Sequence, residues 1–267
     1  MDWDAAYNNA GAVEDAGSFP RGWLRRSEAF LADKGRYRRA ELRYGGASRE
    51  RFDLFHPDTA RQGVLVFVHG GYWHKFDKSY WSWLAAGPLS HGWSVAIAQY
   101  TLCPAVRISE ISRQIAAAVT RIGDEVAGPI RLAGHSAGGH LVTRLMCPGL
   151  LGPQVARRIA GVMSVSGVHD LRPLLATKMN QTLRLDPPEA EAESPALHAP
   201  AVKAELTCWV GSAELPEFLR QNQLLSGWRA HGVSVTEIQA PGRHHFDVID
   251  DFADPDSLLV ARSIGLG

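Results

Sequence analysis

Cysteine is scarce in this chain: three residues in 267, at positions 103, 147 and 208, with no CxxC pair among them. That pattern excludes a disulfide framework and a thiolate zinc site, and a reducing compartment is the expected setting. An excess of charge of either sign is also missing, since 28 Lys and Arg balance 28 Asp and Glu. A balanced chain offers no electrostatic footprint for nucleic acid or an anionic membrane, so neither is expected as a partner. No apolar run approaches the ~18 residues that would cross a bilayer. Residues Met1 to Ala16 carry Asp2, Asp4, Glu14 and Asp15 and have neither the basic start nor the apolar stretch of a secretory signal. The expectation is a cytoplasmic protein. The histidines and carboxylates show no H-E-x-x-H or comparable ligand spacing, so no metal and no cofactor are expected.

What is present is strand and helix in alternation. The length suits one domain, residues 1–267, and 45% of the residues are apolar, enough for a sizeable core. Val64–Val68, Ser94–Ala98, Ile130–Ala133, Gly161–Ser166 and Leu206–Val210 are short apolar runs. Runs of this kind are covered on both faces, as in a parallel sheet. Arg51–His56 alternates as an outer strand would, and Val233–Ile238 reads as the last strand. Between them, Trp81–His91, Ile108–Val126, Ala137–Met146 and Pro216–His231 have helical length, with Gly or Pro at their ends. The alternation implies an α/β fold with a doubly wound sheet and helices on both faces. Two segments stand outside it. Residues 1–50 are expected to form an irregular, helical arm near the mouth of a site, and 169–200 a small lid insertion.

Two glycine motifs follow strands. Gly134-His-Ser-Ala-Gly138 comes directly after Ile130–Ala133 and opens a helix. This is the context of a nucleophile elbow, in which Ser136 sits on a sharp turn with its hydroxyl pushed clear of the sheet. His69-Gly-Gly-Tyr-Trp73 comes directly after Val64–Val68. Backbone amides there can stabilise the charge on a tetrahedral intermediate, and the expected donors are Gly71, Tyr72 and Ala137. His69 at the strand end is expected to shape its loop rather than to act as a base. The acid of such a site belongs after a later strand, where Glu214 is the first carboxylate after Leu206–Val210; Asp170 is the alternative. The base belongs in the loop after the last strand, where His244 and His245 compete. In that arrangement the histidine takes the serine proton and later returns it to the leaving group.

The two motifs together, with Gly-His-Ser-Ala-Gly-Gly-His-Leu at 134–141, resemble the hormone-sensitive-lipase-like branch of α/β hydrolases. More narrowly, Tyr7-Asn8-Asn9, Ser166-Gly-Val-His-Asp-Leu-Arg-Pro173, Gly211-Ser-Ala-Glu-Leu-Pro-Glu-Phe218 and His245-Phe246 resemble the serine-dependent kynurenine formamidases (arylformamidases). The resemblance covers nearly the whole chain. It implies a mostly parallel sheet of about eight strands and a triad on Ser136, Glu214 and His245. The family usually has Asp where this chain has Glu214, and Tyr72 replaces the third glycine of the lipase-like loop. It also implies a small-molecule substrate, an aryl formamide such as N-formylkynurenine, with a carboxylesterase of short or aryl esters as the alternative. Tyr72, Trp73, Tyr7 and Asn8 are the expected substrate-binding residues. A monomer or homodimer is expected.

Overall fold

A computed structural model describes residues 1–33 and 37–266. Eight strands form one sheet: β1 (Tyr37–Arg43), β2 (Arg51–Pro57), β3 (Val64–Val68), β4 (Ser94–Ala98), β5 (Ile130–His135), β6 (Ile159–Val165), β7 (Glu205–Gly211) and β8 (Val235–Ala240). Their spatial order is β1-β2-β4-β3-β5-β6-β7-β8. From β4 to β8 every pairing is parallel, and β1 and β2 are antiparallel additions at one edge.

Every residue of β3, β4 and β5 is buried, because helices cover both faces of the centre of the sheet. Alternate residues of β3 feed two cores. Val64, Val66 and Val68 pack with Ile111, Ile115 and Val119 of the helix Ile108–Glu125. Leu65 and Phe67 pack with Trp81, Phe252 and Val260 on the opposite face. The strand Arg51–Pro57 is second in the sheet, not outermost. The edge is β1, which lies inside the segment expected to be an irregular arm. Its sequence, Tyr37-Arg-Arg-Ala-Glu-Leu-Arg43, is mostly charged, which hides a strand from a search for apolar runs and suits an exposed edge. The segment Trp81–His91 is a 3-10 turn, Ser82–Ala85, followed by a short helix, Ala86–Ser90. Pro216–His231 is α-helical only to Gln223 and continues as 3-10 turns to His231.

Two features position the site. First, β3 and β5 are neighbours in register, Val68 opposite Gly134, so the loops after them lie side by side. Second, β6, β7 and β8 follow in the same direction, with Trp209 opposite Val165 and Ala240 opposite Gly211. All the loops that leave the carboxyl ends therefore gather along one rim, where open α/β sheets hold their ligands. The segment 169–200 folds as four short helical turns. It is fastened to the helices behind the sheet by Arg107–Glu189, Ser112–Glu193 and His140–Glu193 hydrogen bonds. Among the described residues no helix is long and apolar enough to cross a membrane.

Candidate active site

Ser136 holds φ 56° and ψ −118° between β5 and the helix Ala137–Arg144. Such backbone costs of order 1–3 kcal/mol for a residue with a side chain and persists only where its surroundings impose it. Its amide donates to Val165 O at 2.8 Å, and its carbonyl accepts from His140 N at 3.1 Å. The turn is tight because flanking chain passes very close. A Cβ on Gly138 would lie 1.9 Å from Val68 O, and one on Gly134 would lie 2.1 Å from Gly138 O.

His245, on the loop after β8, places Nε2 3.0 Å from Ser136 Oγ and Nδ1 2.7 Å from Glu214 Oε2. With the ring neutral and its proton on Nδ1, His245 donates to the carboxylate and accepts from the serine hydroxyl. Glu214 is buried, and its other oxygen accepts from Gly211 N at 2.9 Å and from Ser166 Oγ at 2.5 Å. The carboxylate is thus held at both ends, and the longer Glu side chain reaches the imidazole without a gap. Ser166 lies at the end of β6 with φ 52°. Sequence reading missed it as a site residue. The available signal was its position directly after a parallel strand, where chemistry concentrates in this architecture.

The amide nitrogens of Gly71, Tyr72 and Ala137 have no acceptor among the described residues. Gly71 and Tyr72 line the same cleft as Ser136 and His245. The arrangement offers a hydroxyl, a proton acceptor and unengaged donors on one cleft. Three non-glycine residues of the loop after β3 hold positive φ: Tyr72 at 48°, Trp73 at 58° and Phe76 at 69°.

The competing residues lie elsewhere. His244 faces its own turn, accepting from Phe246 N at 3.2 Å and Asp247 N at 3.3 Å through Nδ1. Asp170 is engaged by Arg172 Nε and Nη2, at 3.0 and 2.9 Å. His69 is fully buried, donates from Nδ1 to Gly70 O at 2.7 Å and stacks on Tyr100. Burial pushes its pKa down to about 4. Burial also holds His135 well below the usual imidazole range, and its Nε2 donates to His245 O at 2.9 Å. Among the described residues no group of three or more His, Cys, Asp and Glu comes together as a metal site would need.

The cleft beside Ser136 holds about 250 Å³. Trp23, Phe76, Trp81 and Phe246 line it and touch one another: Trp23 and Trp81 have ring centroids 4.7 Å apart, and Trp23 and Phe246 are stacked at 6.0 Å. Asn9 and Tyr72 supply polar lining. A larger cleft of about 400 Å³, walled by Phe30, Tyr37 and Leu89, has Asp33, Asp58, Thr59 and Ser90 in its lining but no histidine among the described residues.

Of the expected substrate-binding residues, only Tyr72 lines this cleft. Trp73 is fully buried and donates from Nε1 to His140 Nδ1 at 3.2 Å, so it is part of the core. Tyr7 is buried with its hydroxyl on Glu217 Oε1 at 2.8 Å. Asn8 caps the short helix Asn9–Ala12 by accepting from Gly11 N. The helical arm does reach the cleft, but through Asn9, Ala16, Pro20 and Trp23. None of the residues lining the cleft comes from 169–200, because that segment packs behind the sheet.

No model of a known protein family matches the sequence. Kynurenine formamidase of Drosophila melanogaster is 31% identical over 236 residues, covering 81% of this chain and 77% of that protein. The chain belongs to the kynurenine formamidase family. The Salmo salar enzyme of the same name is 29% identical over 229 residues, 80% of this chain and 76% of that protein. A solved structure from Silicibacter sp. TM1040, carried under a provisional thioesterase name, is 47% identical, covers 98% of this chain and 99% of its own, and has a TM-score of 0.93. An esterase from Pyrobaculum calidifontis, 16% identical, covers 96% of this chain and 94% of its own with a TM-score of 0.72, which shows the fold alone. This member of the family is an enzyme, a hydrolase of the hormone-sensitive-lipase-like α/β-hydrolase class.

Proposed function

We propose that this hydrolase cleaves aryl formamides, with N-formylkynurenine as substrate, through an acyl-enzyme on Ser136. The single observation that carries the reading is the continuous chain from Ser136 Oγ to His245 Nε2 at 3.0 Å and from His245 Nδ1 to Glu214 Oε2 at 2.7 Å. His245 takes the hydroxyl proton as Ser136 Oγ attacks the formyl carbon. The tetrahedral oxyanion accepts from the amides of Gly71, Tyr72 and Ala137. His245 then gives the proton to the anilide nitrogen, the C–N bond breaks, and the arylamine leaves. Water, deprotonated by His245, attacks the formyl ester, and formate leaves as the proton returns to Ser136. Glu214 fixes the imidazole tautomer and stabilises its cation.

Supporting the aryl group is the aromatic wall of Trp23, Trp81 and Phe246 beside the nucleophile. A second reading, a carboxylesterase or thioesterase, has one observation in its favour: the 47%-identical protein bears a thioesterase name. The triad serves either, because the pocket and the leaving group separate them. The test compares kcat/KM for N-formylkynurenine with that for a short p-nitrophenyl ester. Strong ester turnover with no detectable formamide turnover refutes the formamidase reading. Ser136→Ala should abolish both activities while the far-UV spectrum is unchanged; near-normal kcat in that variant refutes the mechanism.

A further inference from the structure

The loop after β3 is bent in a way its own sequence does not favour. Tyr72 and Trp73, both bulky, sit in the left-handed region at φ 48° and 58°. Inside the loop, His74 N and Lys75 N both donate to Gly71 O, and His74 Nδ1 donates to Tyr72 O at 2.9 Å. The rest of the restraint comes from outside. Trp73 Nε1 donates to His140 Nδ1, and Arg49 Nη2 donates to Phe76 O at 2.6 Å. Tyr72 is held by the N-terminal arm. Its hydroxyl donates to the Tyr7 carbonyl at 2.5 Å and accepts from Asn9 Nδ2 at 2.9 Å. The same residue carries one of the unengaged amides beside Ser136.

The arm that grips Tyr72 is itself fixed. Tyr7 Oη donates to Glu217 Oε1 at 2.8 Å and accepts from Gln221 Nε2 at 3.0 Å. Both partners lie on the helix Pro216–Gln223, which begins directly after the Glu214 loop. Asp4 Oδ1 accepts from Lys178 N at 2.7 Å. The arm therefore bridges the loop of free amides and the helix that follows the acid.

We propose that Tyr72 is a positioning residue whose hydroxyl, clamped by Asn9 and the Tyr7 carbonyl, sets the amides of Gly71 and Tyr72 at the place where the oxyanion forms. The proposal rests on the reading of Ser136 as nucleophile. It makes the arm part of the catalytic apparatus rather than only a wall of the cleft. The grip acts on the transition state, because the oxyanion exists only there, while ground-state binding rests on the aromatic wall.

The experiment uses the full chain and its Tyr72→Phe and Asn9→Ala variants. It measures kcat and KM on the ester and the formamide, the Ki of an aryl trifluoromethyl ketone that adds Ser136 as a hemiketal, and the unfolding temperature. Losing one oxyanion donor costs ~100-fold or more, so a loosened loop should lower kcat in Tyr72→Phe by about 10- to 100-fold. KM should stay within about threefold, and the ketone Ki should weaken by the same factor as kcat/KM. Asn9→Ala should move kcat and Ki in the same direction by a smaller factor, and it decides the matter if Tyr72→Phe does not fold. Unchanged kcat and Ki, or a rise in KM alone, overturns the proposal; the latter makes Tyr72 a substrate contact. If Ser136→Ala is inactive while Tyr72→Phe is normal, only the clamp fails. If Ser136→Ala stays active, the parent reading fails.

Discussion

Acid should unfold this protein well before its carboxylates titrate. His69, His135, His140 and His169 are buried and neutral, and burial lowers the pKa of His69 to about 4, of His140 to about 3 and of His169 to about 4, with His135 also far down. In the unfolded chain each imidazole titrates near its ordinary value of about 6.5. Above that pH neither state holds the extra proton, and these groups do not bear on stability. As pH falls below it, the unfolded chain takes up protons that the folded chain refuses, so stability is lost until the folded values are reached. At pH 5.5 His69, His140 and His169 each contribute a loss between about 1 and 2 kcal/mol, roughly 4 kcal/mol together, and His135 acts in the same direction. That figure depends only on the folded values lying more than a unit below pH 5.5. It compares with a total stability of about 5–15 kcal/mol for a typical domain. The assay is urea unfolding followed by circular dichroism at pH 7.5, 6.5 and 5.5, with the stability slope near pH 5.5 at least ~3 kcal/mol per pH unit. His69→Gln should lower that slope by ~1 kcal/mol per pH unit, whatever its effect at neutral pH. A stability at pH 5.5 within about 1 kcal/mol of that at pH 7.5 would refute the reasoning. Activity at low pH must therefore be read with the fold monitored.

Removing the Ser166 hydroxyl, which donates to the Glu214 carboxylate, should lower kcat about tenfold in Ser166→Ala with KM little changed; an unaltered kcat would mean that Gly211 N alone fixes the acid. Gly138→Ala puts a methyl 1.9 Å from Val68 O, and it should yield little folded protein by near-UV dichroism; a folded, active variant would show that the elbow can open. Trp23→Ala cuts into the aromatic wall and should raise KM for aryl substrates about tenfold while leaving that for p-nitrophenyl-free alkyl esters nearly unchanged; equal changes for both would move the aryl subsite elsewhere.

Much of the fold was legible because its central strands obey a simple rule. Val64–Val68 and Ser94–Ala98 are continuous apolar runs because helices cover both sides, and the structure reproduces their bounds. The strand β1 was not legible, since an exposed edge keeps its side chains in water and needs no apolar pattern. The loops that carry the nucleophile, the acid and the base could be placed from chain order, because each follows its strand at the end where a parallel sheet opens; His245 was preferred to His244 on the family resemblance. Tyr7, Asn8 and Trp73 were harder. Each has a side chain suited to a cleft, but only packing shows that Trp73 faces His140 and Tyr7 faces Glu217.

By itself the sequence determined the local bends: glycine at 134 and 138 allows the serine turn, and alternation of apolar runs with helical segments fixes a parallel sheet. The meeting of Ser136, His245 and Glu214, drawn from positions up to 109 residues apart, was left to tertiary structure. So were the support of Glu214 by Ser166 and the grip of the arm on Tyr72. The physical reason is range. Backbone sterics act between neighbours and leave a trace in the residues themselves, whereas a hydrogen bond across the fold depends on strand order and register, which no single segment encodes.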